Sequence, residues 1–163
     1  MLISEYIHPR TAIACVPSCY VWQGIPEGLK SILFPKSSWT FGGQDIPFVK
    51  FRYNRKIIAD IQHKEYSSCH MKSIQRNKNK EALIKVERFK GNLLLLSAQT
   101  DHYWPSQWMG DLMGKKAAAN VSHRTLNLAG HCFLQYEESS REIIAFLNKT
   151  YPHSVLSQGA SAK

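Results

Sequence analysis

Two polar residues, Asp101 and His131, follow apolar segments that are predicted to be neighbouring β-strands. The chain between them has room for one helix and one strand, so parallel strands would bring both residues to the same edge of a sheet. A carboxylate beside an imidazole accepts a hydrogen bond from Nδ1–H and stabilises the imidazolium that forms during base catalysis. The pattern predicts an acid–base pair, and a histidine with a structural role is the alternative.

Three apolar runs predict the strands of that sheet. Thr11–Val16 and Leu93–Ala98 are short and rich in apolar residues, which is typical of strands that are buried on both faces. Arg124–Ala129 alternates apolar Leu126 and Leu128 with other residues and predicts a third strand. Helices between and after these strands indicate an α/β fold, a mostly parallel sheet with helices on both faces.

A helix beginning near Pro105 is predicted after the second strand, because proline is well tolerated in the first turn of a helix. Apolar side chains four residues apart lie on one face of a helix. The pairs Trp108–Leu112 and Met109–Met113 are therefore expected to hold this helix against the sheet.

A last helix is predicted from the pattern Ser139-x-x-Glu142, which is typical of a capping box. Ile144, Leu147 and Tyr151 follow at helical spacing. Further predictions are a helix tail over Met1–Ile7, a glycine-tipped hairpin or loop over Ser37–Val49, and helices over Tyr66–Lys78 and Lys80–Glu87.

Positive charge is concentrated in one quarter of the chain. The sequence has 21 Lys and Arg residues against 12 Asp and Glu residues, a formal net charge of +9. Twelve of the basic residues and four of the acidic ones lie between Lys50 and Lys90. Such a concentration attracts phosphates of a nucleic acid or of a phosphorylated cofactor. A solvated surface is the alternative, and few aromatic residues interleave with the charges to stack on bases.

Composition excludes several classes of protein. Hydrophobic residues form 44% and charged residues 20% of the chain, which is typical of a globular protein and excludes collagen and coiled coils. No apolar run approaches the roughly 20 residues of a membrane helix, and the first residues do not resemble a secretory signal. The cysteines have no C-x-x-C spacing and no His/Cys cluster has metal-ligand spacing. We therefore expect a cytoplasmic protein with no membrane segment, no metal and no cofactor.

Separate segments resemble one known family, in the right order. Leu93–Ser106 contains an aliphatic strand, then Asp101, then a Trp-Pro-Ser sequence. Ser18–Ile25 and Ser37–Val49 match as well, and Ala129–His131 matches the histidine turn. The pattern is similar to the C-terminal catalytic domain of acyl-CoA thioesterases and bile acid-CoA:amino acid N-acyltransferases. That domain is a dienelactone-hydrolase-like α/β-hydrolase.

The resemblance implies a role for both members of the predicted pair. Asp101 takes the position of the triad acid and His131 that of the triad base, and Trp22 and Trp104 are candidate substrate-binding residues. The implied substrate is an acyl-CoA or a related thioester or ester, whose acyl group goes to water or to an amine. Ala98 replaces the usual glycine, so the preference for one acyl group is not carried over.

The nucleophile of the family is absent from the sequence. α/β-Hydrolases present it on a Gly-x-Ser-x-Gly elbow ahead of the acid and the histidine, and the chain contains neither this motif nor its cysteine counterpart. Alignment to the family puts Met1 within the helix after the elbow. We therefore expect the C-terminal half of an α/β-hydrolase fold. It would comprise a partial domain over 1–151 with a basic insertion over about 25–88, and a flexible tail over 152–163.

Three functions stay open from the sequence. The chain is a thioester hydrolase or acyltransferase fragment that is inactive alone, a non-catalytic binding or regulatory remnant, or, with less support, a basic nucleic-acid-binding module. In the predicted half domain, the Thr11–Val16 strand would lack its neighbour on one side. Exposed strand edges favour self-association, which we therefore expect of this chain.

Overall fold

The computed structural model describes residues 9–118, 120–131 and 134–152. Five α-helices and five β-strands are formed by these residues, with two 3₁₀ turns, Lys80–Ala82 and Val86–Arg88. The elements are, in chain order, β1 (Thr11–Cys15), α1 (Leu29–Leu33), β2 (Thr40–Phe41), β3 (Gln44–Asp45), α2 (Arg55–Gln62), α3 (Ser67–Gln75), β4 (Asn92–Thr100), α4 (Ser106–Lys116), β5 (Asn120–Ala129) and α5 (Glu137–Thr150).

A three-stranded parallel sheet in the order β1-β4-β5 organises the fold. The central strand, β4, is buried on both faces, which requires the uninterrupted apolar run of its sequence. Leu93 and Leu95 pack on the side of α4. Leu94 and Leu96 pack on the opposite side, against Phe146 of α5. The alternation of side chains along a strand thus divides one leucine run between two cores.

The predicted fold class is confirmed by this parallel α/β arrangement. The strands predicted over Thr11–Val16 and Leu93–Ala98 are present, and the third strand begins at Asn120, four residues before its predicted start. Among the described residues, β1 pairs with β4 alone. Self-association through the other edge of β1 stays a prediction, as does the insertion over about 25–88.

The glycine-tipped hairpin is present as β2 and β3. Gly42 and Gly43 form its two-residue turn with φ angles of 58° and 77°. This is the left-handed region at both positions, which two-residue hairpin turns of this kind require and which glycine adopts without a steric cost.

The predicted contacts of α4 are half correct. Met109 and Met113 are fully buried and pack against the sheet, as their spacing predicted. Trp108 is instead 41% exposed, and Leu112 is only partly buried. The helix is therefore held to the sheet mainly by its methionine pair.

The capping-box prediction for α5 was wrong. The helix begins two residues before Ser139, which is buried inside its first turn and is not the N-cap. Ile144 and Leu147 are exposed, whereas Phe146 packs against the sheet. The helical spacing of Ile144 and Leu147 is confirmed, but these side chains do not form the face that packs against the sheet.

The helix predicted over Lys80–Glu87 was also wrong. Ala82, Ile84 and Val86 are buried in alternation, a period of two that is incompatible with a continuous helix. The backbone N–H of Ile84 donates to the carbonyl of Cys19 at 2.9 Å, so the segment pairs with a neighbouring loop. The preceding prediction over Tyr66–Lys78 corresponds to α3, and α2 was not predicted.

Two predictions concern segments at the ends of the chain. The helix tail over Met1–Ile7 and the tail over 152–163, apart from Pro152, lie outside the described residues. Within the described part of the chain, every helix is too short or too polar to cross a lipid bilayer.

Candidate active site

Asp101 and His131 lie at the carboxyl edge of the sheet. Asp101 directly follows β4, and His131 follows β5 after Gly130. The backbone N–H of Gly130 donates to the carbonyl of Thr100 at 2.7 Å, which ties the two strand ends together. Gly130 has a φ of 107°, which residues with a side chain rarely adopt, so the turn that carries His131 depends on glycine.

The two side chains are in contact. Nδ1 of His131 lies 3.2 Å from each carboxylate oxygen of Asp101. The Asp101 side chain is 1% exposed and that of His131 is 18% exposed. Backbone N–H groups of Tyr103 and Trp104 donate to Oδ1 of Asp101 at 3.0 and 3.3 Å. The carboxylate is therefore fixed by its own loop as well as by the imidazole.

The environment of Asp101 favours its ionised form. Burial raises the pKa of the carboxyl. The hydrogen bonds from His131 and from the Tyr103 backbone lower it by more than burial raises it, so the pKa lies below its ordinary value. An ionised carboxylate accepts hydrogen bonds only, so the proton of a neutral imidazole resides on Nδ1. Nε2 of His131 then carries the lone pair, and no described residue donates to it.

Aromatic rings border His131. The ring of Trp104 meets it edge-on at a centroid distance of 4.2 Å, and that of Tyr103 lies at 4.8 Å. The indole N–H of Trp104 donates to the carbonyl of Val16, just after β1, at 3.2 Å. Val16 has a φ of 44°, a strained conformation for a β-branched residue. Strain thus occurs beside the pair, at the same edge of the sheet.

A cavity of about 1220 Å³ lies on the other side of Tyr103 and Trp104, whose rings contact His131, and both Trp22 and Trp104 line it. Neither Asp101 nor His131 is among its lining residues. Trp22 is mostly buried, and its indole N–H donates to Oγ of Ser18 at 2.8 Å. Exposed apolar side chains, among them Ile25 and Trp39, form the outer part of the cavity. The cavity is therefore apolar and has the character of a site for a hydrocarbon group.

His70 is a wall residue that the sequence analysis did not assign to the site. Its ring contacts those of Trp22 and Trp104 at centroid distances of 4.6 and 5.7 Å, and Nδ1 donates to the carbonyl of Tyr66 at 3.0 Å. Burial lowers the pKa of His70, so the ring is neutral. Its position depends on which face of α3 meets the cavity, and no local pattern encodes that face.

The cysteines of the described region are poor nucleophiles. Burial raises the pKa of Cys15 and of Cys69, and it raises that of Cys19 to about 12. A protonated thiol is weakly nucleophilic. In the described part of the chain, no three His, Cys, Asp or Glu side chains are close enough together to hold a metal ion.

A second histidine–aspartate pair lies inside the sheet–helix interface. Nδ1 of His123 is 3.1 Å from Oδ1 of Asp111, and Nε2 is 2.8 Å from Oγ of Ser97. These residue types match a catalytic triad, but Ser97 is fully buried and its hydroxyl donates to the carbonyl of Ser106 at 3.1 Å. A Cβ on Gly110 would lie 2.5 Å from Nε2 of His123, so no room is left for a substrate. The cluster is a packing feature.

The family model described as BAAT / Acyl-CoA thioester hydrolase C terminal matches residues 15–135, well over half of the chain. The matched range contains both members of the Asp101–His131 pair and the two tryptophans that line the cavity. No curated protein and no solved structure matches the chain.

Proposed function

Because the chain belongs to the BAAT / acyl-CoA thioester hydrolase C-terminal family, we propose that Asp101 and His131 are the acid and base of an acyl-thioester-cleaving or acyl-transferring site. One observation carries this proposal. The buried carboxylate holds Nδ1 of His131 at 3.2 Å, while Nε2 has no partner among the described residues. A histidine held in this way can take and return a proton.

The proposed reaction has two stages, attack on the carbonyl carbon and cleavage of the carbon–sulfur bond, and each includes one proton transfer. Nε2 of His131 removes the proton of an attacking hydroxyl, thiol, amine or water as it bonds to the thioester carbonyl carbon. The tetrahedral intermediate collapses with cleavage of the carbon–sulfur bond, and the imidazolium returns the proton to the leaving thiolate. The Asp101 carboxylate stabilises the imidazolium between these two steps.

The apolar cavity is the proposed site for the acyl group. Each buried CH₂ group stabilises binding by about 0.8 kcal/mol, so a cavity of about 1220 Å³ would favour substrates with a substantial hydrocarbon group. Trp104 would place that group beside Nε2, because its ring contacts both the cavity and His131. Trp22 would form another part of the cavity wall.

We propose that this 163-residue chain does not turn over thioesters in water by itself, since its sequence contains no Gly-x-Ser-x-Gly elbow. Removing the nucleophile of a triad costs on the order of 10⁶ in turnover. Purified chain incubated with acyl-CoA is expected to release no free thiol above the buffer rate. Turnover that disappears in His131→Ala would contradict this part of the proposal.

An external nucleophile tests the acid–base pair directly. Hydroxylamine added with acyl-CoA should yield the hydroxamate about 10²-fold faster in the presence of the chain, since His131 accepts the proton that the amine loses. His131→Gln should abolish the acceleration, and His123→Gln, the matched control, should retain it. Equal rates with wild-type protein and His131→Gln would refute the catalytic role.

The second candidate is a non-catalytic domain that binds acyl thioesters. The absence of the nucleophile elbow from the sequence favours it. It predicts binding of acyl-CoA with no acceleration of hydroxamate formation, so the hydroxylamine experiment separates the two candidates.

A further inference from the structure

A second cavity, of about 660 Å³, lies between the end of α3 and the start of α2. Four of its lining residues are cationic and none is acidic. We call it the basic cleft, and its cations are Arg52, Lys72, Arg76 and Lys78. No ion pair among the described residues involves any of the four.

The packing of two segments brings these cations together. The backbone N–H of Arg52 donates to Oγ of Ser73 at 2.9 Å, which attaches its segment to α3. Lys72 and Arg76 are one helical turn apart, and like charges at this spacing destabilise a helix. The dipole at the end of α3 offsets part of that repulsion. An anion bound between the four would offset the rest.

The start of α2 adds to the positive potential of the basic cleft. Asn54 lines the cleft and caps this helix, accepting a hydrogen bond from the backbone N–H of Ile57 at 2.8 Å. The first turn of α2 contains no acidic residue. A helix N-terminus carries partial positive charge, so this end of α2 favours the same ligand as the four cations.

The basic cleft adjoins the apolar cavity, because Tyr53 lines both. A series of ring contacts runs from Tyr53 along the cavity to the proposed base. Its successive centroid distances are 6.3 Å (Tyr53–Phe51), 5.4 Å (Phe51–His70), 5.7 Å (His70–Trp104) and 4.2 Å (Trp104–His131). These four steps set an upper limit on the distance from Tyr53 to His131. That limit is comparable to the length of the extended pantetheine arm, which joins the sulfur of coenzyme A to its phosphates.

We propose that the basic cleft binds the phosphate groups of a coenzyme A thioester whose acyl carbon lies beside His131. This inference rests on the proposed function and adds the site that recognises the carrier. Coenzyme A presents a diphosphate and a ribose phosphate. Guanidinium groups such as those of Arg52 and Arg76 bind phosphate oxygens in a bidentate manner. The acyl group would occupy the apolar cavity, and the pantetheine arm would pass Tyr53.

Calorimetric titration of coenzyme A into the full chain tests the inference. Arg52→Gln and Arg76→Gln should each lower the affinity for coenzyme A about tenfold, the loss of one charge-assisted hydrogen bond. Lys149→Gln on α5 removes the same charge from an exposed position outside the cleft and should change the affinity less than twofold. Both arginine side chains are exposed, so the substitutions should not change the fold. Circular dichroism melting of each variant checks this.

Three further probes identify the recognised part of the ligand. Adenosine 3′,5′-bisphosphate should bind with the same sensitivity to Arg52→Gln and Arg76→Gln. Pantetheine, which has no phosphate, should be insensitive to both substitutions. Inorganic phosphate should bind far more weakly than coenzyme A, and equal affinities would overturn the assignment to the carrier.

Two outcomes overturn the proposal: coenzyme A affinity that is unchanged in both arginine variants, or affinity that falls equally in Lys149→Gln. Tighter binding of a single-stranded RNA through the same arginines would assign the cleft to nucleic acid instead. Calorimetry measures coenzyme A binding whether or not the chain accelerates hydroxamate formation. A wrong assignment of the basic cleft and a wrong assignment of the acid–base pair would therefore appear in different experiments.

Discussion

Two histidine–aspartate pairs occur among the described residues, with almost the same Nδ1–carboxylate distance and different surroundings. In the Asp101–His131 pair the carboxylate is 1% exposed and Nε2 has no described partner. In the Asp111–His123 pair the carboxylate is 54% exposed, and Nε2 is bonded to the buried hydroxyl of Ser97. The environment of the far ring nitrogen, rather than the distance to the acid, therefore distinguishes a potential base from a structural histidine.

The largest expected effect concerns the Asp111–His123 pair. Gly110→Ala would place a Cβ 2.5 Å from Nε2 of His123 and 2.7 Å from Oγ of Ser97. Overpacking and the broken hydrogen bond together should lower the free energy of unfolding by about 3 kcal/mol. Urea unfolding monitored by circular dichroism measures this loss in the free energy of unfolding.

Gly114→Ala is the matched control for this substitution. It lies in the same helix and its added Cβ would meet no atom within 4 Å. Alanine has the higher helix propensity, so this variant should be more stable than wild type by about 0.5–1 kcal/mol. Equal effects of the two substitutions would show that the His123 cluster is not packed as described.

The next effect separates the two carboxylates by pH. The folded-state pKa of Asp101 is depressed, so its ionised form stabilises the fold above the unfolded-state pKa of about 3.9, and this stabilisation is lost as pH falls through the lower folded-state value. Asp101→Asn should lower the free energy of unfolding by about 2 kcal/mol at pH 7. The difference from wild type should shrink as the pH falls below 4.

Asp111→Asn provides the comparison, because an exposed ion pair contributes about 0–1 kcal/mol. Urea titrations of wild type and of both variants, at pH 7 and at low pH, supply the six values needed. A loss at pH 7 that is as large in Asp111→Asn as in Asp101→Asn would contradict the assigned difference in burial.

The smallest effect measures the accessibility of Nε2. Diethyl pyrocarbonate acylates neutral imidazole nitrogens, so His131 should react about tenfold faster than His123, the difference that hydrogen bonding at Nε2 imposes. Peptide mapping by mass spectrometry gives both rates in one sample. Ser97→Ala should raise the rate at His123 and leave that at His131 unchanged. Slower reaction at His131 than at His123 would reverse the comparison.

The sequence predicted the parts of the site that depend on strand ends alone. An uninterrupted leucine run must form a buried strand, so the residue after it, Asp101, had a defined position. His131 followed from the next strand and its glycine turn. The same reasoning missed His123, because β5 begins at Asn120 with polar residues that do not reveal a strand.

Features that depend on the packing of separate segments were not predictable. The burial of His70 depends on the orientation of α3. The grouping of Arg52 with Lys72 and Arg76 depends on a hydrogen bond to Ser73 from a distant part of the sequence. Charge counts indicated that cations were concentrated, but only the fold shows which of them share a cleft.

The indole of Trp104 connects the ends of all three sheet strands. It follows β4, donates to the carbonyl of Val16 after β1, and contacts His131 after β5. A displacement of any one of these loops is therefore expected to affect the other two through a single side chain. Trp104 joins the strained backbone at Val16 to the imidazole of His131, so we expect a ligand that moves the rim of the cavity to reorient the His131 ring as well.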